Sequence, residues 1–199
     1  MRRSRACVAL RGPLARRQGI IKSLYGANVL IVGAGGITTA LLAQLEPFTP
    51  AITVLRRRAA PLDNVPARLQ NTIQVGTLAD MDRHMAHADV VIVTCALTPD
   101  THGCIGQRQL DCLPRHAVLV NVARGEVVKT DDLTDALRRG TIAGAGLDVT
   151  DPEPLPEEHA LWDLPTCHPA LDDVPEQQGG RKANVLIVRA GRCRRAACR

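Results

Sequence analysis

The chain has 199 residues, of which 45% are hydrophobic and only 2% are aromatic. This length allows one well-buried core, and a core built from Val, Ile, Leu and Ala favours a parallel sheet over an aromatic-rich β-sandwich. No apolar run approaches the ~20 residues that a membrane-spanning helix requires, so the composition predicts no membrane span.

The net charge of +5 is distributed unevenly along the chain. Residues 1–22 and residues 181–199 each carry seven Lys/Arg and no acid, whereas residues 23–180 carry 11 Lys/Arg and 20 Asp/Glu, a net charge of about −9. The basic ends lack interleaved aromatic residues and any recognisable nucleic-acid-binding module. We interpret them as solvated segments, with no specific nucleic acid as a partner, and keep nucleic-acid binding as a distant alternative.

The seven cysteines are scattered along the chain without a CxxC pair. This spacing is not that of a zinc site, and it does not indicate a framework of disulfides. We therefore expect reduced thiols in a cytoplasmic protein and no bound metal.

Apolar runs alternate with helical patterns between residues 23 and 165. The sequence predicts strands at 27–33, 51–55, 72–76, 89–97, 116–123 and 142–149, and helices at 36–48, 78–88, 105–113 and 130–140. Strands joined by helical crossovers pair in parallel, which predicts an α/β fold with a Rossmann-type doubly wound sheet of about six strands in three layers. Residues 1–22 are expected to form a basic N-terminal segment and residues 166–199 an atypical basic tail.

The stretch "VGAGGIT" places Gly33, Gly35 and Gly36 between the first predicted strand and the first predicted helix. Glycines there permit a tight turn and let backbone N–H groups approach a pyrophosphate, with Ile37 beside them at the helix start. The sixth position of this dinucleotide fingerprint is Thr38, where glycine or alanine is usual. A glycine turn without a ligand stays the alternative.

The stretch "ITVLRRRAA" ends the second predicted strand with three arginines. A dinucleotide fold that binds NAD carries an acidic residue about 20 residues after the glycines, where it accepts hydrogen bonds from the ribose. Arg56 and Arg57 occupy that place, and guanidinium groups bind the 2′-phosphate of NADP. We therefore predict NADP(H) as the preferred cofactor, with NAD(H) as the other candidate and Arg58 as a solvated charge. Ordinary surface charge is the alternative for these arginines.

The segments "VLIVGAGGI", "TPDTHGCI", "LVNVARGEVVKTDDLTDALRRGTIAGAGLDVTDPEPLP" and "LWDLP" together resemble the coenzyme domain of the D-isomer-specific 2-hydroxyacid dehydrogenases. The glyoxylate/hydroxypyruvate reductases and phosphoglycerate dehydrogenases are the members that these segments resemble most. The match covers roughly residues 23–165, and a chance N-x-A-R-G followed by G-x-G-L-D-V at this spacing is rare. The resemblance implies an oxidoreductase that acts on the CH–OH group of donors.

The resemblance assigns the substrate side of the site. It implies that Arg124 holds the carboxylate and keto oxygen of a small 2-keto acid, and that Glu153 raises the pKa of a catalytic histidine so that it can protonate the developing alkoxide. His168 in "TCHP" is the candidate histidine, although the short strand that the family has before it is missing here.

The resemblance also assigns the cofactor side. It implies that Asp148 faces the nicotinamide and that the loop at Ala96, Leu97 and Thr98 lines the cofactor, with alanine at the place where proline is usual. The backbone beside Arg124 completes the candidate contacts at Val122 and Ala123. A homodimer is implied by the resemblance alone.

Two functions follow from these observations. The first is an NADP(H)-dependent reductase that converts a 2-keto acid of the glyoxylate or hydroxypyruvate type to a D-2-hydroxy acid. The second is a catalytically impaired cofactor-binding fragment, because we expect the family's substrate domain to be largely absent and the chain to be shortened after "LWDLP".

Overall fold

The computed structural model describes residues 23–156, 158–162, 164 and 186–189. These residues form seven strands and four α-helices. The strands are β1 (Asn28–Val32), β2 (Ala51–Leu55), β3 (Ile73–Gly76), β4 (Val90–Val93), β5 (Val118–Asn121), β6 (Gly144–Leu147) and β7 (Leu186–Arg189). The helices are α1 (Gly36–Leu45), α2 (Met81–Met85), α3 (Gln107–Cys112) and α4 (Thr130–Arg139).

The strands form one sheet in the order β3-β2-β1-β4-β5-β6-β7. Strands β1 to β6 are parallel, which confirms the predicted doubly wound sheet. The chain reaches the edge at β3 and then returns to place β4 beside β1. Strand order therefore reverses between β1 and β4, which is where ligands bind in open α/β sheets.

The core lies on both faces of the sheet, because successive side chains of a strand point to opposite faces. In β1, Leu30 and Val32 pack into the larger cluster with residues of α2, α3 and α4, whereas Val29 and Ile31 pack into the smaller cluster with residues of α1. All four are at most 1% exposed. The helices and the sheet thus form the three predicted layers.

The predicted helices and strands exist, but several end earlier than the sequence suggests. Helix α1 stops at Leu45, and Pro47 lies in a short 3-10 helix, Glu46–Phe48. Helix α4 ends at Arg139 with Gly140 at φ 69°, as the Arg-Arg-Gly pattern predicts. Strand β4 is much shorter than the predicted 89–97, because the chain leaves the sheet after Val93 and forms a loop.

Strand β7 was not predicted. It pairs antiparallel with β6, so that Leu147 lies opposite Leu186. The six residues "ANVLIV" at 27–32 occur again at 183–188, within a segment that is otherwise rich in Arg, Ala and Cys. The run "VLIV" in this segment contains β-branched residues, which favour a strand, but the basic residues around it did not suggest one. The parallel six-stranded sheet is therefore extended by one antiparallel edge strand.

Candidate functional site

A cleft of about 860 Å³ opens at the carboxyl ends of the parallel strands. The turn after β1, the arginines after β2, the loop after β4 and the residues after β5 all contribute to its walls. The volume is within the range of small-molecule and cofactor sites. The cleft therefore lies at the point where strand order reverses, as the fold predicts.

Gly33 begins the turn after β1 with φ +123°. A Cβ at this residue would lie 2.6 Å from the backbone nitrogen of Cys95 and 2.7 Å from Thr94 Oγ1. Only glycine fits such a conformation and contact, so the folded chain itself requires Gly33. Its own N–H donates to the Leu55 carbonyl over 2.8 Å, which ties the turn to β2.

Gly35 and Gly36 differ from Gly33, because a Cβ on either would meet no protein atom within 4 Å. Gly35 has φ −94°, which any residue can adopt. The protein fold therefore does not require these glycines. They keep side chains away from the N-terminus of α1, where unpaired backbone N–H groups and the helix dipole favour an anion.

The three consecutive arginines all line the cleft. The backbone N–H of Arg56 donates to Gly76, and its side chain is half-buried and donates to the carbonyl oxygens of Ala60 and Pro61. Arg57 and Arg58 are exposed, and neither makes a hydrogen bond or ion pair with another residue that the structure describes. Within the described part of the chain, both guanidinium groups therefore keep their N–H donors available for an anion at this end of the cleft.

Arg124 follows β5 and lines the opposite end of the cleft. Its Nη1 donates to the Ala123 carbonyl over 2.7 Å, which leaves further N–H donors on the guanidinium. Asn121, which is 1% exposed, donates from its amide to the Arg124 carbonyl and accepts from the Ala123 N–H, each over 3.0 Å. The buried Asn121 side chain therefore fixes the backbone from which Arg124 projects. We did not predict this role, although a polar residue that ends an apolar strand is a recognisable signal.

The glycine after Arg124 is held against the start of the next loop. A Cβ at Gly125 would overlap the Thr150 carbonyl, so a larger residue cannot stand there without moving one of the two segments. The backbone N–H of Asp148 also donates to the Asn121 carbonyl over 3.0 Å. Residues 148–151 are therefore packed directly beside the segment that carries Arg124.

Most of the sequence-predicted cofactor residues lie in the walls of this one cleft. They are Gly33, Gly35, Gly36, Ile37, Arg56, Arg57, Ala96, Leu97, Thr98, Val122 and Ala123, together with Arg124. Asp148 and Glu153 are exposed and do not line the cleft. His168 lies outside the described residues. Eight further lining residues were not predicted from the sequence: Ala34, Leu55, Arg58, Leu78, Thr94, Cys95, Asp100 and Thr101.

Cys95 is the thiol in the cleft wall. Burial raises its pKa, and burial together with the neighbouring Cys95 raises the pKa of Cys104 to about 11. Both thiols are therefore protonated at neutral pH, and neither is an activated nucleophile.

Among the described residues, no cluster of His, Cys, Asp and Glu is arranged to hold a metal ion. Within the same residues, no helix has the length and apolar character to cross a bilayer.

Comparison with known proteins connects this geometry to one family. The family model described as "D-isomer specific 2-hydroxyacid dehydrogenase, NAD binding domain" matches residues 5–169. A Corynebacterium melassecola protein, "Uncharacterized protein in proB 3'region", is 42% identical over 138 residues, which are 69% of this chain and 43% of that protein. The glyoxylate reductase/hydroxypyruvate reductase of Mus musculus is 37% identical over 145 residues, which are 72% of this chain and 42% of that enzyme.

Solved structures agree with the sequence comparisons. The D-isomer specific 2-hydroxyacid dehydrogenase from Xanthobacter autotrophicus Py2, in complex with NADPH and MES, superposes with a TM-score of 0.61 and 34% identity over 69% of this chain and 42% of that chain. The present chain spans less than half the length of each of these three proteins. From the family match and the fold together, the chain belongs to the D-isomer specific 2-hydroxyacid dehydrogenases and corresponds to their NAD binding domain.

Proposed function

We propose that this chain binds NADP(H) in the cleft and serves the reduction of a small 2-keto acid, of the glyoxylate or hydroxypyruvate type, to a D-2-hydroxy acid. One observation carries the proposal: a single cleft contains the glycine turn, the arginine cluster at one end and Arg124 at the other. The names of the similar mouse enzyme and of the NADPH complex support the substrate class and the cofactor.

The residues along the cleft match the successive groups of a dinucleotide. The open side of Gly35 and Gly36 leaves room for a pyrophosphate at the N-terminus of α1, which supplies N–H donors. Arg57 and Arg58 fit the 2′-phosphate of the adenosine ribose, since they are exposed and unpaired among the described residues. NAD(H), which lacks that phosphate, is the weaker candidate.

The glycine turn and the arginines would hold the cofactor, which when bound would supply a hydride for the carbonyl carbon of the keto acid, while the carbonyl oxygen would take up a proton. In the proposal, Arg124 binds the substrate carboxylate with the guanidinium N–H groups that Ala123 does not use. Asn121 holds the Arg124 backbone in place. His168 is proposed as the proton donor and Glu153 as its partner, and both assignments stay predictions.

Cofactor binding without turnover is the second candidate function. The position of Glu153 favours it, because this carboxylate is exposed and lies outside the cleft wall. A catalytic histidine whose partner carboxylate lies outside the site is not oriented for efficient proton delivery. The cytoplasmic location and the homodimer predicted above also stay predictions.

Steady-state turnover separates the two candidates. The purified chain is mixed with NADPH and either glyoxylate or hydroxypyruvate, and loss of the reduced cofactor is followed by absorbance. If the chain is a reductase, the wild type turns over. Arg124→Gln should then lower the rate at least about 100-fold, because the substrate loses a charged hydrogen-bonding partner. Tight NADPH binding with no turnover at high protein concentration would support cofactor binding alone.

A further inference from the structure

We propose that Thr38 and Thr94 are positioning residues, whose paired hydroxyl groups hold the glycine turn in the shape that accepts the dinucleotide pyrophosphate. The inference rests on the proposed cofactor binding and deepens it. It assigns a role to the threonine that replaces the usual glycine or alanine at the sixth position of the fingerprint.

Both threonines are buried at the centre of the turn. Thr38, in the first turn of α1, is 1% exposed, and Thr94, directly after β4, is 8% exposed. Thr38 Oγ1 lies 2.9 Å from the Gly33 carbonyl oxygen and 2.9 Å from Thr94 Oγ1. Thr94 Oγ1 also lies 3.2 Å from the Val32 carbonyl oxygen. The two hydroxyls therefore join α1, the glycine turn and the end of β4.

The number of hydroxyl hydrogens decides how this cluster is bonded. Each threonine supplies one donor hydrogen, so the two hydroxyls can satisfy two of the three contacts. The Val32 carbonyl already accepts the backbone N–H of Thr94 over 2.8 Å. Thr38 Oγ1 is the donor that the described residues offer to the Gly33 carbonyl. The favoured arrangement is therefore Thr94 donating to Thr38, and Thr38 donating to Gly33.

This arrangement matters for the cofactor because Gly33 carries the positive φ of the turn. Its φ of +123° turns the chain towards Gly35 and the N-terminus of α1, where the pyrophosphate is proposed to bind. A Cβ on Gly33 would lie 2.7 Å from Thr94 Oγ1, so the hydroxyl cluster packs directly on the turn. Glycine or alanine at position 38 would leave the buried Gly33 carbonyl without this donor.

The test compares variants that keep or remove the hydroxyls. Val has the shape of Thr without its hydroxyl, so Thr38→Val and Thr94→Val remove donors with little change in volume, and Thr38→Ser restores the donor. Thr134→Val is the matched control, because Thr134 is 4% exposed and its hydroxyl donates to the Thr130 carbonyl over 2.7 Å in α4. NADPH affinity is measured by isothermal titration calorimetry, and the thermal midpoint by circular dichroism.

We expect Thr38→Val to weaken NADPH binding about tenfold, Thr38→Ser to stay within about twofold of the wild type, and Thr134→Val to lower the thermal midpoint without changing the affinity. The double variant Thr38→Val/Thr94→Val should bind no more weakly than Thr38→Val, since the chain of hydrogen bonds is already broken.

Unchanged NADPH affinity in Thr38→Val, with a loss of stability like that of Thr134→Val, would overturn the inference and leave cofactor binding intact. If Thr38→Val does not fold, equal affinities of Thr94→Val and the wild type would overturn it instead. A wild-type chain that binds neither NADPH nor NADH would overturn the proposed function together with this inference, so the two failures are distinguishable.

Discussion

Arg56 Nη1 lies 3.0 Å from the Pro61 carbonyl oxygen, and the same nitrogen lies 3.2 Å from that of Ala60. One of the three consecutive arginines therefore closes the loop that follows β2. Because Arg56 Nη1 is engaged within the loop, whereas Arg57 is exposed and makes no hydrogen bond with the described residues, we expect Arg56 to shape the cofactor-binding end of the cleft and Arg57 to make the main contact with a 2′-phosphate.

Substitution of Arg57 tests this division of roles. Arg57→Ser should weaken NADPH binding by about 10- to 100-fold, as expected for the loss of a charge-assisted hydrogen bond, and should leave NADH affinity nearly unchanged. Fluorescence titration with both cofactors measures the two affinities. Arg68→Ser is the control, since Arg68 is exposed on a 3-10 helix and does not line the cleft. Equal losses for NADPH and NADH would contradict the assignment.

Arg56→Ala should act differently. It removes two hydrogen bonds to loop carbonyls, so we expect a lower thermal midpoint and weaker binding of both cofactors, because the loop lines the cleft. Selective loss of NADPH affinity, at unchanged stability, would instead assign the phosphate contact to Arg56.

Substitution of two glycines of the turn should affect two different properties, the stability of the fold and the affinity for NADPH. Gly33→Ala forces a side chain into a φ of +123° and against Cys95, so it should cost at least about 2 kcal/mol of unfolding free energy or prevent folding. The Cβ of Gly35→Ala would have no protein atom within 4 Å, so the stability of this variant should be close to that of the wild type. Its NADPH affinity should fall at least about tenfold, because the added methyl group would occupy the space left for the pyrophosphate. Urea unfolding and NADPH titration measure the two effects. Unchanged NADPH affinity in Gly35→Ala would argue against a pyrophosphate at this turn.

Asn121 should affect the substrate more than the cofactor. Asn121→Ser shortens the side chain that bridges the Ala123 N–H and the Arg124 carbonyl, and we expect a loss of about 1–3 kcal/mol in unfolding free energy. The KM for the keto acid should rise severalfold, because Arg124 loses its fixed orientation, while the Kd for NADPH changes little. Asn71→Ser, at an exposed position, is the control. An unchanged KM would mean that Asn121 supports the fold without orienting Arg124.

His84 should make stability depend on pH in mildly acidic solution. Burial, followed by the neighbouring Arg83, lowers the pKa of His84 below its usual 6.5, whereas Asp80 opposes this shift. The unfolded chain then binds more protons than the folded chain below about pH 6.5, so stability falls as the pH decreases from 7.5 towards 5. The pKa of Asp80 is lowered as well, so this carboxylate stays ionised over that range.

Thermal midpoints at pH 7.5 and pH 5 measure this dependence. His84→Gln should show a smaller decrease between the two pH values than the wild type does. His102→Gln, at an exposed position, should behave like the wild type. If His84→Gln loses as much stability as the wild type, His84 is not responsible for the pH dependence.

The sequence allowed the sheet and the cleft to be predicted because both depend on local patterns. Short β-branched runs mark the strands, and the glycines and arginines stand directly after strands, so the topology alone brings them together. Strand β7 escaped prediction because a basic composition surrounds it. The roles of Asn121, Thr38 and Arg56 depend on hydrogen bonds between segments or within a loop, which no spacing in the sequence specifies.

Preference for NADP(H) over NAD(H) is the property of the cleft on which the proposed function depends. Titration of the purified 199-residue chain with NADPH and with NADH, under identical salt and pH, tests it most directly. We expect NADPH to bind at least about tenfold more tightly than NADH, and we expect Arg57→Ser to lose this preference. Equal affinity for the two cofactors, or tighter binding of NADH, would contradict it.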